Sequence, residues 1–242
     1  MADRSAEGEQ KYQSFVFPGE IEGLVVSSCS KDLVPGWFCP DHWGDHAWPV
    51  SAGGRGAAWF IERPAEDWVL RHYMRGGVMA HLSRTRYVFM GSDSVRSIAE
   101  FKMLAELHGR GFPVPPPIAA CCRRVGAFYE AAILLERLPG VQPLAEFVFS
   151  LDKDTWQRVG AAIRRFHDAG VFHADLNCFN ILVSDDQVYL IDFDKARYKD
   201  ARRDNWKKAN LNRLKRSLEK LGSLSDYRLD GLWQALRKGY YV

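Results

Sequence analysis

The 242 residues contain no apolar run of the eighteen or so positions that a membrane-crossing helix needs, so no span is expected. The opening stretch, MADRSAEGEQKYQSF, lacks the apolar centre of a secretory signal, and none is expected there. Cysteine is scarce. There are five, an odd number, and Cys121 and Cys122 are neighbours. That pattern does not suit a disulfide framework and points to a reducing compartment, the cytoplasm. Internal repeats and low-complexity segments are also missing, which excludes solenoids and repeat arrays. What remains is a globular composition, 47% hydrophobic and 26% charged, long enough for one sizeable core or two small lobes.

Net charge is small, +3, but unevenly spread. From Lys195 to Lys220 there are eleven Lys and Arg against three acids, a local +8, so the rest of the chain sums to −5. Such a run is either a solvated helical face or a patch for an anionic surface. Aromatic interleaving within it is sparse, Trp206 being the main instance, which argues against single-stranded nucleic acid as a partner.

The first fifty residues are acidic, rich in Trp, Pro and Gly, and poorly periodic; they predict irregular structure with a short strand at Gly23–Ser27. PVSAGGRGAAWFIE and DWVLRHYMRGG read as hairpin-connected strands with a glycine-rich turn. Ile98, Phe101, Leu104, Ala105 and Leu107 recur at helical spacing over residues 94–108. PVPPPIAACCRR reads as a stiff extended connector into the strand-like AFYEAAILLERL. The second half is helical. Trp156, Val159, Ile163 and Phe166 line one face over residues 152–169, with Gly170 at the C-terminal end. ILV, SDDQ and VYLID form a short hairpin, and Leu211, Leu214, Leu218 and Leu221 mark a helical tail. The expected architecture is α+β: one domain, with a small β-rich N-lobe to about residue 137 and a helical C-lobe from about 138.

Chemistry concentrates in HADLNCFN, residues 173–180, and in the later DFD. Phosphoryl transfer from ATP needs donors that cradle phosphate, a positioning cation, oxygen ligands for Mg²⁺, and a carboxylate to orient and deprotonate the accepting hydroxyl. The chain offers these in order. Gly53, Gly54 and Gly56 of GGRG supply a turn open to phosphate. Arg71 stands where V-A-I-K places its lysine, and Glu100 on the next helix is its candidate partner. Asp175 and Asn180 reproduce the Asp and Asn of H-R-D-L-x-x-x-N, and Asp192 the Asp of D-F-G. Asp175 is then the catalytic carboxylate, while Asn180 and Asp192 share the metal across the hairpin.

VLRHYMRGG, FKMLAELHGRGFPVPPPIAA, LLERLPG, FHADLNCFNILV and YLIDFDKAR together resemble the protein-kinase-like superfamily, in its branch of lipopolysaccharide core kinases. The resemblance covers roughly residues 50 to 200 and is nearest to the kinases of the acidic sugar Kdo (3-deoxy-D-manno-octulosonic acid). It implies a two-lobe kinase-like fold, with ATP and Mg²⁺ as cofactors. Transfer would be to a hydroxyl of Kdo on a Kdo-lipid A precursor, in lipopolysaccharide core biosynthesis. It also implies that Glu136 and Leu138 of LLERLPG contact the nucleotide, and that the enzyme works as a peripheral protein at the cytoplasmic face of the bacterial inner membrane. The departures are Arg71 for lysine, with Arg75 as a rival for its role, Ala174 for the Arg of H-R-D, and Asp194 for the Gly of D-F-G.

Plainer readings compete. Ser97–Glu100 has the form of a capping box, which would tie Glu100 to the helix end. The glycines suit a simple hairpin turn. Cys39, His42 and His46 have zinc-compatible spacing but no evident fourth ligand, and packing by Trp43 and Trp48 accounts for the segment. His173 reads as a structural hydrogen-bonder. As whole functions, a heptose kinase, a small-molecule phosphotransferase, an inactive kinase-like module and a nucleic-acid binder are the alternatives.

Overall fold

The structure is a computed structural model and describes residues 12–50, 58–73, 87–148, 150, 152–222 and 226–242. Its contacts fall into two compact units, Met1–Phe101 with Pro116–Arg137, and Lys102–Pro115 with Leu138–Val242.

The first unit is built on an antiparallel sheet. Its elements are β1 (Tyr12–Phe17), β2 (Ile21–Val26), a short helix α1 (Pro40–Trp43), β3 (Ala47–Pro49), β4 (Ala58–Ile61), β5 (Trp68–His72), β6 (Tyr87–Val88), α2 (Arg96–Gly109, which runs on past the unit), β7 (Pro117–Val125) and β8 (Phe128–Glu136). The strand order is β1-β2-β7-β8-β5-β4-β3, with β6 also on β8. The N-terminal segment is more regular than its poor periodicity suggests. Gln13–Phe17 pairs fully with Ile21–Val25, and β2 docks on β7. The proline-led stretch is likewise not only a connector, because from Pro117 onward it pairs with β8, with a bulge between Pro117 and Ala119. Proline is tolerated there as the first residue of the strand.

Alternation along β5 sorts its side chains to two faces. Trp68 and Leu70 are fully buried in a cluster with Trp37, Phe38, Ile118, Ala132 and Leu134. Trp37 and Trp68 meet edge to face at 4.8 Å, and the Arg63 guanidinium lies 3.5 Å over Trp68. The tryptophan-rich N-terminal segment thus covers one face of the sheet. Arg71, the alternate residue, belongs to the other.

The second unit contains β9 (Gln142–Pro143), α3 (Leu144–Phe147), α4 (Lys153–Asp168), β10 (Val171–Phe172), β11 (Ile181–Val183), β12 (Val188–Leu190), β13 (Arg197–Tyr198), α5 (Asp204–Glu219) and α6 (Asp226–Tyr241). Asp152 caps α4 by accepting the Thr155 N–H at 2.7 Å. Gly170, at φ +74°, follows the last helical turn, and its carbonyl accepts from Lys199 at 2.8 Å. Trp156, Val159, Ile163 and Phe166 of α4 are buried. On α5, Leu211, Leu214 and Leu218 are buried, so the leucine stripe is spent on the protein's own core.

The basic run is not a uniform outward face. Lys207 is buried and lies 3.8 Å from Asp168 and 3.6 Å from Asp204. Lys215 pairs with Asp230 at 3.7 Å, and Arg213 with Asp175. Lys195, Arg197, Arg202, Arg203, Lys208, Arg216 and Lys220 are exposed.

Candidate active site

Gly53, Gly54, Gly56 and Arg75 lie outside the described residues. Arg71 and Glu100 are brought together in the first unit. The Arg71 guanidinium binds the Glu100 carboxylate directly, and the Tyr73 hydroxyl binds the same oxygen. Arg71 Nη2 also donates to the Tyr73 hydroxyl at 3.3 Å. Glu100 is 2% exposed, so its charge is balanced by a cation rather than by water. Ser97 lies inside α2 and gives its hydroxyl proton to the Cys121 carbonyl at 2.8 Å, while the Glu100 carboxylate meets Arg71 and Tyr73. Glu136 ends β8, its N–H donating to the Pro116 carbonyl at 2.9 Å, and Leu138 follows two residues on. A pocket of about 340 Å³ in this unit is lined by Phe38, His72, Cys121 and Ala132 among others. The His72 ring in its wall bonds the Phe38 carbonyl at 2.8 Å, and Tyr73 also lines it.

In the second unit the loop 173–180 is held by its own amides. The side chains of Asn177 and Asn180 both donate to the Asp175 carbonyl, at 3.1 and 3.0 Å. Asn177 Oδ1 accepts the N–H groups of Phe179 and Asn180 at 2.8 and 3.2 Å. With Nδ2 of Asn180 committed to a carbonyl, Oδ1 is its remaining acceptor. The β11–β12 ladder pairs Ile181 with Leu190, and the Ile191 N–H donates to the Asn180 carbonyl at 3.1 Å. Asn180 and the Ile191–Asp192 segment are therefore neighbours by register. Asp192 sits at φ +62°, in the left-handed region, which costs a non-glycine residue roughly 1 kcal/mol or more.

His173 couples these pieces. Its Nε2 donates to the Ile191 carbonyl at 2.9 Å, so Nδ1 is the acceptor and takes the Asp175 N–H at 3.3 Å. Burial pushes its pKa below the ordinary histidine value. It is a neutral strut, not a base.

Helix α5 supplies what the sequence reading missed. Asn210 Nδ2 donates to the His173 carbonyl at 2.8 Å, Arg213 donates through Nε and Nη2 to Asp175 Oδ1 at 2.9 and 2.6 Å, and Ser217 Oγ accepts the Cys178 N–H at 3.0 Å. The three residues are spaced three and four apart, so they form one stripe. That spacing was visible in the sequence, but its target was not. Among the described residues, no three His, Cys, Asp or Glu side chains gather as a metal site. Cys39 is exposed, the His42 ring meets Trp43 edge to face at 5.2 Å, and His46 lies 3.9 Å from Glu62.

The sheet with its Arg–Glu pair, and the helical unit with a carboxylate loop followed by a hairpin, are the parts of a protein-kinase-like phosphotransferase. The solved structure "WaaP in complex with acyl carrier protein" is similar in fold, with a TM-score of 0.53 at 16% identity over 88% of this chain and 86% of that one. The family model described as "Lipopolysaccharide kinase (Kdo/WaaP) family" matches residues 41–240, and the chain belongs to that family. It is 46% identical over 207 residues to a 3-deoxy-D-manno-octulosonic acid kinase of Xylella fastidiosa (strain M12), covering 84% of this chain and 83% of the relative. Similar proteins of the same name occur in Xanthomonas axonopodis pv. citri (strain 306), 46% identical over 84% of this chain and 82% of theirs, and in Stenotrophomonas maltophilia (strain K279a), 45% identical over 85% and 83%.

Proposed function

We propose that this chain, as a single kinase-like domain, transfers the γ-phosphoryl group of ATP to a hydroxyl of Kdo on a Kdo-lipid A precursor. The observation that carries the reading is the set Asp175, Asn180 and Asp192, held by one loop and one hairpin. It is supported by family membership and by relatives named for that activity.

The geometry supports these roles. Asp175 orients the sugar hydroxyl and takes its proton as the new O–P bond forms and the β,γ P–O bond breaks. Asn180 and Asp192 offer an amide oxygen and a carboxylate, the hard donors that Mg²⁺ prefers. When bound, the ion neutralises phosphate charge. Arg71, fixed by Glu100 and Tyr73, binds phosphate of the nucleotide; its planar, permanently charged group does so with a different geometry from lysine. Gly53, Gly54 and Gly56 would cradle phosphate, and Glu136 and Leu138 would contact the nucleotide. The lipid-linked acceptor implies work at the inner surface of the bacterial inner membrane. No helix among the described residues is long and apolar enough to cross it, so the attachment proposed is peripheral.

The test is ATP turnover by the purified protein with Kdo-bearing and heptose-bearing lipid A precursors, with and without Mg²⁺. Transfer to the Kdo precursor alone is expected. Transfer confined to heptose-bearing core would replace this reading by a heptose kinase.

A further inference from the structure

The polar stripe on α5 is not accounted for by the kinase pattern, which draws its catalytic residues from the H-R-D loop and D-F-G. The cation that touches Asp175 is Arg213, 38 residues downstream. Its contact is asymmetric. Nε and Nη2 both converge on Oδ1, and neither bonds Oδ2. A carboxylate in a loop, with its side chain half exposed, turns freely unless something holds it. Saturating one oxygen fixes the plane of the group and leaves the other to receive a proton. The helix that presents Arg213 is itself pinned to the same loop one turn before and one turn after, through Asn210 to His173 and Ser217 to Cys178.

We infer that Arg213 is a positioning residue of the phosphoryl-transfer step: it holds Asp175 by Oδ1 so that Oδ2 faces the acceptor hydroxyl and accepts its proton. The inference rests on the reading of Asp175 as the proton acceptor given above. As a stability device the pair would be weak, since ion pairs between half-exposed side chains contribute little. Its effect therefore belongs in turnover.

The experiment compares Arg213→Ala, Arg213→Lys and Asp175→Ala with the parent in full-length protein, using the Kdo-bearing precursor as acceptor. Arg213→Ala is expected to lower kcat by about 10- to 100-fold, the scale on which loss of orientation acts, with KM for ATP within about twofold of the parent. Arg213→Lys should retain more activity than Arg213→Ala. Millimolar guanidinium should restore part of the Arg213→Ala rate and none of the Asp175→Ala rate. An unchanged kcat in Arg213→Ala would overturn the inference. So would a loss that guanidinium cannot rescue and that tracks a fall in melting temperature, which would make Arg213 a structural residue. If the parent itself phosphorylates only heptose-bearing core, the acceptor assignment fails, and the Arg213 comparison is then decided on that acceptor.

Discussion

At the residue scale, the two carboxylates of the site sit in different surroundings and should fail differently. Asp175 is half exposed and bound by Arg213, whereas Asp192 is held in a left-handed backbone conformation beside Asn180. Asp175→Ala is expected to keep nucleotide binding and lose about 10²–10⁴ in turnover, the usual cost of removing a general base. Asp192→Asn is expected to raise the Mg²⁺ concentration needed for half-maximal ATP binding. Nucleotide titrations at several Mg²⁺ concentrations check both; near-parental turnover in Asp175→Ala would remove it from the mechanism. These residues were legible in the sequence because they follow one another in a fixed pattern within twenty positions. Arg213, Asn210 and Ser217 were not, because their partners are separated from them by a hairpin and a further strand. Lys207 was misread for a related reason. Composition counts it as surface charge, but its side chain is only 11% exposed and its ammonium group lies by Asp168 and Asp204.

At the element scale, α4 and α6 approach so closely that glycine is required on both. A Cβ on Gly160 would stand 2.0 Å from the Leu236 carbonyl oxygen, and one on Gly239 would stand 1.9 Å from that of Gln157. Neither backbone can yield without separating the helices. Gly160→Ala is expected to destabilise by about 3 kcal/mol, the upper range for overpacking. Gly231→Ala in the same α6 meets nothing within 4 Å and is expected to stabilise by roughly 0.5–1 kcal/mol through helix propensity. Urea melts of the two variants check the contrast. A second element-level prediction concerns His167 on α4, whose ring lies 2.7 Å from the Tyr240 hydroxyl and 3.3 Å from Asn210 Oδ1. Burial, with Lys207 and Arg164 adding to it against Asn210 and Asp168, pushes its pKa down to about 4. Between the ordinary value near 6.5 and about 4 the unfolded chain binds the proton more readily, so stability present above that window is lost as pH falls through it. The loss should reach about 2 kcal/mol by pH 5. His173, shifted the same way, adds to it. Urea midpoints at pH 7 and pH 5 measure the slope, which should shrink in His167→Gln; equal midpoints in the parent would contradict it. Helix α4 and the β11–β12 hairpin were readable from periodicity and turn residues. The β1–β2 hairpin was not: Phe15 and Phe17 pack on the core while Ser14 and Val16 face out, and the apolar Val16 at an exposed position hides that alternation in the sequence.

At the scale of the whole molecule, the proposed lipid-linked acceptor raises the question of what would hold the protein to it. The basic run read from composition suggested eleven cations for this, but the fold commits several of them internally. Arg213 goes to Asp175, Lys207 to Asp168 and Asp204, Lys215 to Asp230, and the leucines between them to the core. Arg202 and Arg203 share Asp200 yet stay 92% and 81% exposed. No apolar stripe of α5 is left for insertion, so attraction through this helix would be electrostatic and shallow. Lys208, Arg216 and Lys220 are exposed cations of α5 and its C-terminal end. Near an anionic leaflet each contributes on the order of 1 kcal/mol, screened by salt. Sedimentation with anionic and neutral vesicles over a salt series is expected to show weak binding to the anionic vesicles only, fading as salt rises. Lys208→Gln, Arg216→Gln and Lys220→Gln together should weaken it by about tenfold or more. Lys207→Gln is the contrasting variant. Its side chain is largely buried and its charge is paired with Asp168 and Asp204, so its loss should show in the urea midpoint and leave vesicle binding near the parental level. If the triple variant bound as the parent does, or if neutral vesicles bound equally, charge on this helix would not be the anchor, and attachment would have to come from the acceptor itself.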